Sequence, residues 1–179
     1  VLQAMQRRHT VADIQALVAD ARNARPDVVF GADLIAGFPG ETDAMFETTL
    51  NAVKRWNITY LNVFAYSPRS DVAAAALPLV AGDVVKDRAR RLREAGDAAL
   101  ERHLARLTGR VHPVLMEQQN FGRTESFAAV RLAKPVAVGQ IVNVAVTAAR
   151  DGELLGSAMG DFKTTDGTDA GGWLKKMKA

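Results

Sequence analysis

Residues 28–42 read VVFGADLIAGFPGET, and this stretch decides the fold of the first half of the chain. Its first nine residues, 28–36, are almost continuously apolar, which is typical of a strand buried on both faces of a parallel sheet. A Gly-Phe-Pro-Gly turn, 37–40, then breaks the strand, and a helix follows from Glu41 or Thr42. The stretch therefore predicts a strand that ends in a glycine-rich turn against a helix N-terminus.

The neighbouring segments extend this strand and helix into a larger unit. A second apolar strand, ITYLNVFAY at 58–66, completes a strand–helix–strand unit with a parallel crossover. Upstream, Thr10 and Asp13 form a capping pair at the start of a helix that Pro26 ends. Two strands buried on both faces need neighbours that residues 1–82 do not supply. We therefore expect these residues to be the back end of a larger α/β domain, and the chain to be a fragment.

The second half of the chain changes its hydrophobic period. A helix is predicted from Asp83 to about Leu107, with Gly109 as its stop signal. Beyond residue 110 the period is two, and the segments VHPVLMEQ, ESFAAVRL, QIVNVAVTAA and GELLGS read as short strands of a small β-barrel or sandwich. The predicted boundaries are a partial α/β domain at 1–82, a connecting basic helix at 83–108, a β-domain at 109–157 and a flexible tail at 158–179.

Composition narrows the class of protein. The chain has a net charge of +3, and residues 83–110 hold eight Lys/Arg against five Asp/Glu. This mildly basic balance is compatible with an RNA partner. The chain contains no cysteine, which excludes disulfides, thiolate zinc sites and a cysteine-held iron–sulfur cluster within it. Without an apolar run of about 18 residues we expect no membrane partner and a cytoplasmic location.

The two predicted strands differ between their faces. One face carries polar and aromatic residues: Asp33, Ile35 and Gly37 on the first strand, and Asn62, Phe64 and Tyr66 on the second. The opposite faces are wholly apolar and suit packing under helices. We therefore expect Asp33 and Asn62 to point into a polar interior, as in a barrel with a central site. The alternative is that Asp33 is a buried carboxylate bonded to backbone amides.

The glycine-rich turn is a candidate ligand site. In a parallel sheet, ligands bind at the carboxyl ends of the strands. Gly37 and Gly40 would let the backbone approach a ligand closely, and the helix N-terminus after them favours negative charge. The alternative is an ordinary strand-to-helix turn, for which glycine and proline are the usual residues.

Two motifs in the correct order connect these features to a family. DLIAGFPGETDAMFETTL, followed by LNVFAYSPRSDVAAAA and a basic helix, resembles the radical S-adenosylmethionine methylthiotransferases. The β-rich segment from GRVHPVLMEQ onward looks like the TRAM domain of that family. The resemblance covers residues 1 to about 157. It implies an α/β fold, the C-terminal part of a radical-SAM partial (β/α) barrel, followed by a small all-β TRAM domain, an OB-like barrel.

The resemblance also implies a function. The closest branch modifies threonylcarbamoyladenosine in tRNA, by adding a methylthio group to C2 of the adenine. In that family a 4Fe-4S cluster cleaves S-adenosylmethionine to a radical that abstracts hydrogen from the adenine ring, and a second cluster helps to deliver sulfur. The cluster cysteines are absent here, so we expect no catalytic or metal-binding residue in this chain, no activity alone, and the upstream half of the same enzyme as a partner.

Site residues follow from the resemblance by position. The cofactor-binding residues would be Asp33, Ile35, Gly37, Val63, Phe64 and Ala65. The residues at the barrel mouth, facing the tRNA substrate, would be Tyr66, Ser67 and Arg69. The family commonly has Gly-Thr after this second motif, whereas this chain has Ser70, Asp71 and Val72, which puts the substrate role of that loop in doubt.

Further RNA contacts are candidates on the basic helix and the β-domain. The helix cluster contains Lys86, Arg88, Arg90, Arg91 and Arg93, of which Arg91 and Arg93 are the chosen phosphate contacts. In the β-domain the candidates are Arg123, Arg131 and Lys134. Phe121 and Phe127 would either stack on bases or pack in the core.

Two alternatives remain open. The basic run could be only the solvated side of an amphipathic helix. The protein could be a non-catalytic RNA-binding module, or it could belong to the isopentenyladenosine-tRNA or the ribosomal-protein branch of the family.

Overall fold

The computed structural model describes residues 1–68 and 77–160, and the chain divides into two compact units, Val1–Leu100 and Glu101–Ala179. The described elements of the first unit are α1 (Val11–Ala24), β1 (Phe30–Ala36), α2 (Asp43–Arg55), β2 (Ile58–Ala65) and most of α3 (Gly82–Leu107). The elements that follow α3 in the second unit are β3 (Val111–Gln118), β4 (Phe121–Thr124), β5 (Ala129–Leu132), β6 (Ile141–Arg150) and β7 (Glu153–Ala158). Residues 161–179 of the predicted tail lie outside the described residues.

The start of α1 is the capping box that the sequence predicts. The Thr10 hydroxyl accepts a hydrogen bond from the Asp13 backbone N–H at 3.2 Å, and the Asp13 carboxylate accepts one from the Thr10 N–H at 2.7 Å. Two of the backbone donors that a helix N-terminus leaves unpaired are thereby satisfied. The predicted boundary is confirmed at this end of the helix.

In the first unit, β1 and β2 pair in parallel, with Leu34 opposite Val63 and Ala36 opposite Ala65. The face that carries Leu34 and Val63 packs against a core drawn from both following helices. That core contains Ala36, Phe46, Leu50, Val53, Ile58, Ala89 and Leu92, all of them buried. The expectation that this apolar face lies under helices is therefore confirmed.

Only one face of the two strands is buried by the described residues, which do not supply the neighbours that the sequence analysis expects on the other face. Exposure alternates along β1, and Ile35 and Phe64 on the other face are 40% and 56% exposed. Within the described residues the sheet has two strands and the helices cover one of its faces. An almost continuous apolar run means that the side chains on both faces of a strand are suited to burial. Each face is buried only where another element packs against it.

The second unit contains a closed five-stranded barrel with strand order β3-β4-β5-β7-β6. Its pairs are antiparallel except for β5 and β7, which run parallel. Alternate residues point inward and form the core, including Val114, Met116, Val130, Val144 and Leu154. The small β-barrel that the period of two predicts is confirmed.

One strand was predicted in the wrong place. The segment 125–132 was expected to be a single strand, but only Ala129–Leu132 is extended, and Phe121–Thr124 forms the additional strand β4. The intervening residues turn back, because the Phe127 N–H donates to the Thr124 carbonyl at 2.9 Å and the Ala128 N–H donates to the Thr124 hydroxyl at 3.1 Å. A four-residue strand is too short for periodicity to reveal.

Candidate functional site

The open face of the first-unit sheet brings together four predicted residues: Asp33, Ile35, Asn62 and Phe64. Asp33 is opposite Asn62 and Ile35 is opposite Phe64 in the register. The Asn62 side-chain amide donates a hydrogen bond to the Asp33 carboxylate at 2.8 Å. Asp33 is exposed, so the alternative of a buried carboxylate bonded to backbone amides is wrong. We call these four side chains the open sheet face.

The glycine-rich turn is held by contacts within the protein. Gly37 has a left-handed φ of 74°, and its N–H donates to the Glu41 carboxylate at 3.0 Å. A Cβ at Gly37 would lie 2.4 Å from a methyl carbon of Val85 on α3. The packing of α3 and the backbone conformation therefore already require glycine here. The Gly37 N–H therefore already has a hydrogen-bond partner within the protein.

A buried ion pair that the sequence did not predict joins α3 to this turn. The Arg88 guanidinium donates to the Glu41 carboxylate at 2.8 Å and to the Glu41 carbonyl at 3.0 Å, and both side chains are almost fully buried. Arg88 also pairs with Asp43 at 2.6 Å. Arg88 is therefore not free for RNA phosphates. Its position between Val85 and Leu92, on the apolar side of the helix, was the available signal.

Of the predicted cofactor-binding residues Val63 and Ala65, the first already has a partner within the protein. Val63 turns its side chain towards the core, and its carbonyl accepts a hydrogen bond from Arg93 at 3.1 Å. Ala65 is exposed at the end of β2. Arg93, predicted to contact phosphate, thus has a backbone partner on the sheet.

The predicted barrel-mouth residues differ in their surroundings. The Tyr66 ring packs edge-on against Phe38, with ring centroids 5.5 Å apart. The Tyr66 hydroxyl is buried and has no hydrogen-bond partner in the described part of the chain. Ser67 is exposed, and Arg69 lies outside the described residues. The Tyr66 hydroxyl is therefore turned inward.

Two further basic residues of α3, Arg90 and Arg91, are paired with carboxylates. Arg91 forms an ion pair with Glu47 of α2. Arg90 pairs with Asp87 at 2.5 Å and with Glu94 at 2.7 Å on the same helix. These contacts favour the alternative of a solvated helix surface, because an RNA phosphate would have to compete with carboxylates.

Two of the three β-barrel candidates, Arg123 and Arg131, lie in one row with the two predicted phenylalanines. The arginine–phenylalanine row, defined as Phe127, Arg123, Phe121 and Arg131, alternates rings with guanidinium groups at 5.0 to 5.7 Å from the ring centroids. Arg131 donates two hydrogen bonds to Glu153, which lowers the pKa of that carboxyl below its usual range. Lys134 is exposed. The row brings two predicted arginines together with both predicted phenylalanines.

The residues present fit the adenine of S-adenosylmethionine, but they do not fit a 4Fe-4S cluster. Ile35 and Phe64 lie side by side and exposed, and an adenine ring could bind against such an apolar surface. A cysteine-held cluster does not fit, because the chain has no cysteine. Among the described residues, no three His, Asp or Glu side chains are grouped as metal ligands, and no helix is long and apolar enough to cross a membrane.

Comparison with known proteins gives relatives but no matching family model. The chain is 39% identical over 152 residues to the threonylcarbamoyladenosine tRNA methylthiotransferase of Rickettsia prowazekii, covering 85% of this chain and 36% of the relative. It is 36% identical over 168 residues to the tRNA-2-methylthio-N(6)-dimethylallyladenosine synthase of Agrobacterium fabrum, covering 89% and 37%. The synthase of the same name from Cereibacter sphaeroides is 34% identical over 167 residues, covering 89% and 38%.

The chain thus spans little more than a third of the length of the curated relatives that it matches. Each matched region is longer than either compact unit and so includes parts of both. The motifs, the order of the elements and these identities agree, and the chain belongs to the radical S-adenosylmethionine methylthiotransferase family.

Proposed function

We propose that this chain supplies the cofactor-facing sheet and the RNA-binding barrel of a tRNA methylthiotransferase that acts in the cytoplasm. Its substrate would be the adenine of threonylcarbamoyladenosine next to the anticodon, which receives a methylthio group at C2. The observation that carries this proposal is the 39% identity to the threonylcarbamoyladenosine enzyme over 152 residues. When bound in such an enzyme, S-adenosylmethionine with its cluster supplies the radical chemistry.

The residues of this chain act by binding and orientation. Ile35 and Phe64 would contact the flat adenine of S-adenosylmethionine, since both are exposed and adjacent in the register. Asp33 and Asn62, the next outward-facing pair along the strands, offer a carboxylate and an amide to the polar part of the nucleoside. The Arg88–Glu41 pair would keep the turn after β1 in one conformation. Cluster chemistry would come from the rest of the enzyme, because no residue here can replace the cysteines.

Two other functions have specific support. The dimethylallyladenosine branch is supported by relatives at 36% and 34% identity. A non-catalytic RNA-binding role is supported by the absence of cysteine.

A chimera separates these possibilities. This chain is fused behind the part of the Rickettsia prowazekii relative that precedes the matched region, and is expressed in a strain that lacks the modification. Nucleosides from digested tRNA are then analysed by mass spectrometry. We expect methylthiolated threonylcarbamoyladenosine. A chimera with Phe64→Asp should lose the product, whereas Leu17→Asp, at a position that is 66% exposed on α1, should retain it.

The other outcomes are equally informative. A methylthiolated dimethylallyladenosine product, formed only when the upstream part comes from the Agrobacterium fabrum relative, would assign the chain to that branch. A folded chimera that binds tRNA and yields neither product would favour the non-catalytic role.

A further inference from the structure

Phe127 occupies an unusual position for a phenylalanine. It lies in the turn between β4 and β5, its side chain is 63% exposed, and its φ is 67°. The left-handed region of φ and ψ favours glycine, asparagine and aspartate. A ring that is mostly exposed also contributes little hydrophobic stabilisation. Core packing, one of the two alternatives for Phe127, is therefore wrong. Folding stability does not explain a phenylalanine here.

The turn that carries Phe127 is firmly anchored. The Thr124 hydroxyl accepts a hydrogen bond from the Ala128 N–H at 3.1 Å and lies 3.1 Å from the Ser126 hydroxyl. The Ser126 hydroxyl in turn lies 3.0 Å from Nε2 of His103, near the end of α3. These contacts fix the backbone on both sides of Phe127. The turn that presents the ring is therefore already ordered, so little conformational entropy would be lost there when a ligand binds.

The neighbours of Phe127 continue the same surface. The Arg123 guanidinium lies 5.0 Å from the centroid of the Phe127 ring and 5.5 Å from that of Phe121. Arg123 also donates to the Phe127 carbonyl at 3.3 Å and pairs with Glu117 at 3.3 Å. The Phe127 ring, exposed beside this guanidinium group, provides a flat surface at which a base can stack.

We propose that Phe127 and Arg123 form a stacking site for an unpaired base of RNA. The inference rests on the proposed function and deepens it, because it assigns a base contact to the barrel. The cores of protein–protein interfaces are depleted of charged residues, whereas sites for single-stranded nucleic acid combine aromatic rings with arginine. Arg123 and Arg131 are already paired with carboxylates. Stacking therefore supplies most of the binding free energy, and the affinity for RNA depends only weakly on salt concentration.

The test uses the full 179-residue chain and three labelled probes: a single-stranded oligoadenylate, an abasic strand of equal length and an RNA duplex. Fluorescence anisotropy gives each Kd. Phe127→Ala should weaken oligoadenylate binding by roughly tenfold, because one stacked base contributes on that scale. Phe127→Tyr keeps the ring and should retain the affinity, and the abasic strand should bind weakly to all variants. Val138→Ala, at a position that is 59% exposed outside the row, is the matched control and should change nothing.

Phe127→Gly separates stacking from folding. Glycine relieves the left-handed backbone, so this variant should have a higher Tm than the wild type while its affinity for oligoadenylate falls. An affinity unchanged in both Phe127→Ala and Phe127→Gly would overturn the stacking site, and the proposed function would then be judged by the chimera alone. Failure of the wild-type chain to bind oligoadenylate would also overturn it. A change in sedimentation with Phe127→Ala, without RNA binding, would assign the ring to a protein contact instead.

Discussion

Gly37 illustrates how much a single residue decides in this protein. Its N–H donates to Glu41, its φ is 74°, and its Cα lies against Val85 of α3. Gly40 in the same turn has a similar φ of 78°, but among the described residues a Cβ there would meet only Leu77, at 4.0 Å. Both glycines therefore adopt a left-handed backbone conformation, but Gly37 also lacks space for a Cβ atom.

Because of this difference, alanine substitutions at the two glycines should destabilise the protein to different extents. Gly40→Ala should lower the free energy of unfolding by about 1 kcal/mol, the cost of a left-handed alanine. Gly37→Ala adds a clash with Val85 and should lower it by a further ~1–3 kcal/mol. Urea unfolding followed by Trp56 fluorescence, in a chain with Trp173→Phe, measures both. Adding Val85→Ala to Gly37→Ala should recover part of the loss. Equal effects of Gly37→Ala and Gly40→Ala would contradict the clash.

At the scale of elements, α3 makes a buried connection near its start. Arg88 reaches Glu41 and Asp43 at the beginning of α2, and its guanidinium lies 5.5 Å from the centroid of the Phe46 ring. Removing one partner of such a pair leaves an uncompensated buried charge. The connection therefore controls where the turn after β1 lies.

Arg88→Met tests this connection. It should lower the free energy of unfolding of the first unit by about 3–5 kcal/mol, because the Glu41 carboxylate stays buried without its partner. Arg90→Met, which removes two exposed ion pairs of the same helix, is the matched control and should leave the free energy of unfolding nearly unchanged. The double variant Glu41→Gln with Arg88→Met should be more stable than Arg88→Met alone. A loss of similar size in Arg88→Met and Arg90→Met would contradict the argument.

The end of α3 makes a different connection. Burial lowers the pKa of His103 below its ordinary value of 6.5, and the positive charges of Arg106 and His112 lower it further. The folded state therefore binds this proton more weakly than the unfolded state does. The neutral His103 ring faces the Ser126 hydroxyl. Its contribution to the free energy of unfolding is therefore complete above about pH 6.5 and is lost as the pH falls below that value.

The β-barrel unit should accordingly be less stable at about pH 5.5 than at about pH 7.5. NMR signals of core methyl groups, such as those of Val144, followed in urea at both values, measure the difference. Carboxyl groups also titrate in acid, so His103→Gln is the reference. We expect a smaller loss in His103→Gln than in the wild type, and an identical loss would remove His103 as the cause.

At the scale of the whole molecule, the proposed function assigns nucleoside binding, and not cluster chemistry, to this chain. The open sheet face is the proposed surface for an adenosine, and the chain contains no cysteine. It also spans little more than a third of its relatives' length.

We therefore predict that the purified chain, given S-adenosylmethionine and a strong reductant, releases no 5′-deoxyadenosine. The physical reason is that it has no thiolate to hold a cluster that could transfer the electron. Liquid chromatography of the reaction mixture measures the product. The reconstituted full-length Rickettsia prowazekii relative serves as the positive control. Release of deoxyadenosine by the chain alone would contradict the prediction.

Local sequence determined the elements and the family. The capping pair at Thr10, the strand–turn–helix at 28–42 and the period of two after residue 110 each depend on residues a few positions apart, so they can be recognised without a structure. The strand faces also followed from alternation alone. The short strand β4 did not, because four residues carry too little periodicity.

Tertiary structure decided which of these surfaces stays open. The helices cover one face of the β1–β2 sheet, Arg88 meets Glu41 from 47 positions away, and the turn at Phe127 exposes a ring that its apolar character suggested was buried. Periodicity states which side chains share a face. Burial and pairing depend on what packs against that face, and this is set by contacts between residues distant in sequence.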